Sequence, residues 1–264
     1  MKAEELSNTV MLHENNRMNQ SLNDFTQRLY NNNYKASYPS KTLSLVKPDD
    51  LPDPLPSLSK DILYPALYNQ ESSMCTIEIQ MDRPEDTQDG TWFSLSHEFQ
   101  LRFECQFIER LIDGFLLLCK EKPSVFVVVP HRSQRSSIKQ LLENEKYQNL
   151  NIKADTVDRM QGQEADIVIV SYLFFDALQV ATESEFLFDR RRLNVSISRA
   201  EKFCLFIGSE SVFDPPVEVL GSPSCSDAYQ HLMYFVECCK TQKSFFNLKV
   251  NANRATDNNS QNSE

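Results

Sequence analysis

The sequence predicts an α/β fold: a mainly parallel sheet with helices packed on both of its faces. Two observations carry this. Three runs, Val125–Val129, Asp166–Ser171 and Phe203–Gly208, are almost continuously apolar and rich in β-branched residues, the pattern of strands buried on both sides. Segments with apolar residues at helical spacing lie between them, and strands that alternate with helices build parallel sheets. A length of 264 residues suits one or two domains.

In chain order, Leu22, Phe25 and Leu29 place a helix over residues 20–30. Residues 41–100 hold prolines at 48, 52, 54, 56, 65 and 84 and an acidic, turn-rich run at 82–90. They read as a long irregular connection or insertion, with short strands at 42–46 and 75–80. Phe103, Phe107, Leu111, Phe115 and Leu118 share one face of a helix over 103–119. The strand at 125–129 ends at Pro130, and a helix follows over 134–145. Strands are predicted at 152–157, 166–171 and 203–208, and helices at 191–200 and 227–240. From about 247 the chain is polar and low in complexity, so 246–264 is expected to be a disordered tail. The resulting division is a junction at 1–40, the Pro-rich acidic segment at 41–100, a main domain at 101–245, and the tail.

Composition excludes several classes. No stretch reaches the ~18–20 uninterrupted apolar residues of a membrane span, and the first residues lack the apolar core of a signal peptide. Seven cysteines, an odd number with no CxxC, predict reduced thiols and an intracellular setting, nucleus or cytoplasm undetermined. Four scattered histidines give no metal-ligand spacing, so no metal site is expected. The five glycines never fall into GxxxxGK[ST] or GxGxxG, which removes both the phosphate-binding P-loop and the dinucleotide fingerprint. A net charge of −10 argues against strong sequence-independent nucleic-acid binding by this chain alone.

Three polar segments carry the candidate chemistry. The first is Glu14-Asn-Asn-Arg-Met-Asn19. The second, Thr156-Val-Asp-Arg-Met-Gln-Gly-Gln-Glu-Ala-Asp-Ile-Val-Ile-Val-Ser171, sets a turn between two strands. Gly162 allows a left-handed backbone there, and Gln161 and Glu164 offer polar groups near one sheet edge, where open α/β sheets bind ligands after a strand end. The third is Arg191-Arg-Leu-Asn-Val-Ser-Ile-Ser-Arg-Ala-Glu-Lys202, with Arg192 and Arg199 one heptad apart. Arginine, always cationic and bidentate, suits charge on a transferring phosphoryl group.

Taken together, these segments resemble the C-terminal motor half of superfamily 1 helicases, in the branch of the nonsense-mediated-decay helicase and senataxin. The matching residues are Arg17-Met18, then Val157-Asp158, Gln161-Gly162, Glu164, Asp166 and Ser171, then Arg191-Arg192-Leu193-Asn194-Val195 and Ser198-Arg199-Ala200. The run Val127-Val-Val-Pro130 with Gln134 matches the intervening (apolar)₃-P-x-x-x-Q motif. The resemblance covers about 13–210. It implies a RecA-like, P-loop-NTPase-type domain that lacks its own P-loop and works against a P-loop-bearing partner domain, on the same chain or a separate one. Arg17 and Arg199 would reach the γ-phosphate of ATP, Glu164 the ribose, and Gln161 with Gly162 would link nucleotide state to the domain interface. ATP and Mg²⁺ would be bound only once that first motor domain completes the site. Thr156 would touch a phosphate of single-stranded DNA or RNA, joined by the patch His131, Arg132, Arg135 and Lys139. Asn16 departs from the pattern, standing where relatives often place an aromatic that stacks on adenine. The implied function is one half of an ATP-dependent 5′-to-3′ helicase, inactive alone; the alternative is a non-catalytic nucleic-acid- or protein-binding module.

Overall fold

The computed structural model describes residues 13–28, 34–69, 72–82, 96–160 and 162–251. In chain order the elements are β1 (Glu14–Asn15), α1 (Gln20–Gln27), β2 (Lys35–Ala36), α2 (Tyr64–Leu67), β3 (Met74–Asp82), α3 (His97–Leu118), β4 (Val125–Val129), α4 (Arg132–Leu142), β5 (Ile152–Thr156) and β6 (Ala165–Tyr172). There follow α5 (Ala177–Thr182), α6 (Ser184–Leu187), α7 (Arg190–Ile197), β7 (Ala200–Ser209), α8 (Glu210–Phe213), α9 (Val217–Leu220), α10 (Pro223–Thr241) and β8 (Phe245–Asn251). Six strands form one sheet in the order β5-β4-β6-β7-β3-β8, and every neighbouring pair is parallel.

The continuous apolar strands are buried on both faces, as their composition requires. Val125, Val127 and Val129 of β4 join Ile167 and Ile169 of β6 in one core layer, closed by Phe107, Leu111 and Phe115 of α3. Phe126, Val128, Val168 and Val170 point the other way, against Leu22 and Phe25 of α1, Leu193 and Ile197 of α7, and Leu232 and Phe235 of α10. The strand period of two thus supplies two cores from one sheet.

Three expectations need correction. The segment 41–100 is not a connection outside the sheet: its strand β3 lies between β7 and β8, pairing Met74 with Cys204 and Thr76 with Phe245. Cys75, Ile77 and Ile79 are fully buried there, so the sheet and its core extend N-terminal of residue 101. At 42–46 no strand forms; Leu45 makes a single bridge to Cys119. The polar tail begins later than expected, because Phe245–Asn251 is the edge strand β8. Phe246, Leu248 and Val250 pack on the core while Asn247, Lys249 and Asn251 face out, and that one-sided alternation is what an edge strand needs. The first helix ends at Gln27; residues 29–33, 83–95 and 252–264, which include parts of the predicted helix, acidic run and tail, lie outside the described residues.

Parallel strands put all six N-terminal ends on one edge of the sheet and all C-terminal ends on the other. The connection 157–164 therefore carries the chain from the C-terminal edge, at Thr156, to the N-terminal edge, at Ala165. Helix α7 ends just before β7 begins, so Arg199 stands at the N-terminal edge while Arg192, near the helix start, does not.

Candidate functional site

At the N-terminal edge the segment Asn16–Asn19 is pinned before α1. Asn15 Oδ1 accepts the backbone N–H of Arg17 at 2.9 Å and of Met18 at 3.2 Å. Asn19 is buried: its Oδ1 caps α1 by accepting from Leu22 N at 3.2 Å, and its Nδ2 lies 2.7 Å from Ser73 Oγ and 3.0 Å from Lys202 O. Lys41 Nζ donates to the carbonyls of Asn16, at 3.2 Å, and Arg17, at 3.0 Å, and pairs with Glu201 at 2.8 Å. The backbone of the motif is fixed at both ends, and Arg17 projects from it.

Arg17 meets the two other segments. Its Nε is 2.7 Å from Glu164 Oε2, and its Nη1 donates to Ser198 O at 3.0 Å. Arg199 Nη1 donates to Gln163 O at 3.2 Å and its Nε to Val195 O at 3.3 Å. Ala165 N bonds Arg199 O at 3.1 Å, which locks the start of β6 to the start of β7. Arg17, Glu164 and Arg199, 182 residues apart from first to last, thus converge on one spot. Glu164 is half exposed and Arg17 29% exposed, so the pair between them belongs to the class worth only ~0–1 kcal/mol. Exchanging that carboxylate for another anion costs little.

Gly162 adopts φ +82°, the left-handed conformation expected of it, with nothing within 4 Å of the position a Cβ would take. The need for glycine here is conformational, not steric. Asn16 is exposed beside Arg17; Gln161 lies outside the described residues. One expectation changes. Glu164 stands at the N-terminal edge of the sheet rather than in a crevice after a strand end, because the crossing connection places its last residue at the start of β6.

The remaining predicted residues gather at the opposite edge. Pro130, His131, Arg132, Thr156, Arg159 and Phe186 line an open cleft beyond the C-terminal ends of β4 and β5. The His131 ring stacks on Phe186, centroids 5.4 Å apart, and its Nε2 is 2.5 Å from Glu183 Oε2. Arg192 lies over the other aromatic boundary, 4.5 Å from the Phe186 centroid, and its Nε is 3.3 Å from Asp158. Arg132 and Arg159 are exposed. Arg135 departs from expectation: it turns away from the cleft to Asp155 Oδ1 at 3.4 Å, and Lys139 approaches the same carboxylate at 3.8 Å. Arg135 lies one helical turn beyond Arg132 and Lys139 two, enough to place them on the flank of β5. Arg159 and Phe186 were not singled out from sequence; Arg159 occupies an unspecified position of V-D-x-x-Q, and Phe186 lies outside every motif.

The same motifs also supply structural groups. Asp166 accepts from Ser124 N at 2.8 Å and Ser124 Oγ at 2.7 Å and pairs with Lys202 Nζ at 2.7 Å. Burial raises this carboxyl's pKa, but Lys202 and the two Ser124 donors outweigh it and hold it below the usual range.

The AAA domain family matches residues 1–211. The chain belongs to this family. Curated relatives of the AAA-family chain include the ATP-dependent helicase MJ0104 of Methanocaldococcus jannaschii, 26% identical over 201 residues, covering 74% of this chain and 26% of that protein. The DNA replication ATP-dependent helicase/nuclease dna2 of Schizosaccharomyces pombe is 28% identical over 229 residues, 84% of this chain and 14% of that protein. A homolog of regulator of nonsense transcripts 1 from Neurospora crassa is 29% identical over 115 residues, 42% of this chain and 10% of that protein. The chain is a superfamily 1 helicase-like domain of the branch named from its motifs, and it spans about a quarter or less of the length of these relatives. Among solved structures, the C-terminal domain of a possible DNA helicase from Lactobacillus plantarum superposes with TM-score 0.32 at 12% identity, over 57% of this chain and 83% of that one, too slight a likeness to argue from. Among the described residues no helix is long and apolar enough to cross a membrane.

Proposed function

We propose that this AAA-family chain is the second, RecA-like motor domain of an ATP-dependent helicase acting 5′ to 3′ on single-stranded DNA or RNA, and that its two sheet edges divide the work. The observation that carries the reading is at the N-terminal edge: Arg17 pairs with Glu164 and donates to Ser198 O, while Arg199, the next residue, donates to Gln163 O. Two guanidiniums from segments far apart in sequence, one held by a weak and exchangeable carboxylate contact, suit an incoming polyphosphate. Residues 1–264 hold no P-loop, so the phosphates must be presented by a partner domain.

On this reading the residues fit half of an ATP site. Arg199 and Arg17 place positive charge against the terminal phosphate, Glu164 turns from Arg17 to a ribose hydroxyl, and Gln161 and Gly162 shape the interface turn. On this reading the magnesium-holding acids belong to the partner domain, together with the P-loop that this chain lacks. ATP and Mg²⁺, when bound between the domains, supply the phosphoryl group and the neutralising charge of the reaction. At the other edge Thr156, Arg132 and Arg159 contact backbone phosphates, and Phe186, stacked between His131 and Arg192, holds the wall of the cleft. The acidic body around this narrow cleft keeps strand affinity of the isolated chain modest.

The test is turnover in the assembled enzyme. Joined to a P-loop motor domain, the parent should hydrolyse ATP while residues 1–264 alone do not. Arg199→Ala should bind ATP yet lose on the order of 10³ in turnover, the scale of a supplied arginine finger. Normal turnover by Arg199→Ala would instead favour the binding-module alternative.

A further inference from the structure

Helix α3 turns one carboxylate into the core. Glu104 is 2% exposed and forms no ion pair among the described residues. Its contacts are neutral: Ser171 Oγ donates to Oε1 at 2.5 Å, and Gln134 Nε2 lies 3.0 Å from Oε1 and 3.1 Å from Oε2. An acid buried without a cation adds little to cohesion, because desolvation offsets its hydrogen bonds. Burial raises its pKa, against the opposing Ser171 and Gln134 contacts, to about 7. A cohesive role does not account for such a residue.

Its connections lead to the cleft. Gln134 is the third residue of α4, and its Oε1 accepts the backbone N–H of His131 at 3.1 Å. The Gln134 amide can therefore point only one way, NH₂ toward Glu104 and oxygen toward His131. A carboxylate offers acceptors, so Glu104 sets that sense. Ser171, the other partner, belongs to β6, between the strand that leads into the cleft and the strand that begins at Ala200. Three elements, α3, α4 and β6, are thus tied at the point where the His131 turn leaves the sheet.

We propose that Glu104 is a positioning residue for strand binding: through the Gln134 amide it fixes the His131–Arg132 turn against the cleft at the ends of β4 and β5. This rests on the reading of that cleft as the strand site. Glu104 touches no strand itself.

The chemistry allows a swap test. Both Glu104 oxygens lie within 3.1 Å of Gln134 Nε2, so in Glu104→Gln whichever oxygen becomes NH₂ faces another donor. Gln134 then either keeps that conflict or flips and sets its NH₂ against the His131 N–H. Exchanging both residues, Glu104→Gln with Gln134→Glu, restores one donor–acceptor contact between positions 104 and 134, while the amide oxygen at 104 still accepts from Ser171 and a carboxylate oxygen at 134 still accepts the His131 N–H. The readouts are anisotropy of fluorescent oligo-dT and oligo-U and hydrogen exchange of the His131 amide, with thermal unfolding in parallel. Glu104→Gln should weaken strand binding about tenfold and speed His131 exchange, the effect of one displaced buried hydrogen bond. The double exchange should recover affinity to within about threefold of the parent, a coupling that a merely structural role would not give. A Glu104→Gln variant that binds like the parent overturns the proposal, as does a double exchange that stays weak or does not fold. A parent that binds neither oligonucleotide overturns the strand reading itself, and the proposal with it; His131 exchange then shows whether the Glu104–Gln134 linkage exists without it.

Discussion

Asp166 gives the most quantitative prediction. Its carboxylate is 24% exposed and joins three chain segments: the turn before β4 through both donors of Ser124, the start of β6, and Lys202 of β7. Asp166→Ala leaves Ser124 N–H and the Lys202 ammonium without their anion. Hydrogen bonds to charged groups contribute ~1.5–3 kcal/mol each, reduced where water can replace them, and Lys202 is exposed enough to recover solvation. The expected loss is about 2–3 kcal/mol for Asp166→Ala and about 1–2 kcal/mol for Asp166→Asn, which keeps one acceptor. In urea this lowers the midpoint by about 1 M at an m-value of ~2–3 kcal/mol/M. The pH dependence has a definite sign. The folded pKa is lowered, so the contribution is fully present above the unfolded value of ~3.9 and is lost as pH falls through the folded value. The gap between parent and Asp166→Asn should therefore be constant from about pH 5 upward and close below about pH 4. An Asp166→Ala midpoint within ~0.2 M of the parent at pH 7, or a gap that widens on acidification, would refute the reasoning.

Val128, fully buried against α1 and α7, should not tolerate Asp: an unpaired charge there should abolish the cooperative transition by circular dichroism, and Ile169→Asp should do the same from the other face. Gly162→Ala should cost ~1–2 kcal/mol in thermal or urea unfolding from its left-handed φ alone, with no added clash. Glu104, with a folded pKa of about 7 against ~4.3 unfolded, should make the parent lose stability as pH rises between those values. Glu104→Gln should lack that slope in urea titrations from pH 4.5 to 7.5.

How far the sequence reached follows from what is local. β4, β6 and β7 were legible because two-sided burial forces uninterrupted β-branched runs. β8 was not, because an edge strand needs apolar residues on one face only, and Asn247, Lys249 and Asn251 make it read as a polar tail. The strand at 75–80 was visible, but not its place between β7 and β8, since parallel pairing joins residues more than a hundred positions apart. The site shows the same division. Residue identities along three motifs brought Arg17, Glu164 and Arg199 to notice, yet their separation from Thr156 and His131 by the width of the sheet follows from the direction of one connection, 157–164. Glu104 left no signal: it occurs once in a helix whose other inward positions are apolar, and only packing shows that it faces Gln134 and Ser171.

Whether the two sheet edges serve different ligands is decided by measuring strand affinity and ATP turnover on the same assembled proteins carrying Arg199→Ala or Arg132→Ala. Arg199→Ala should lose turnover and keep strand affinity, while Arg132→Ala should weaken the strand complex and retain turnover at saturating strand. Equal losses of both activities in both variants would contradict that division.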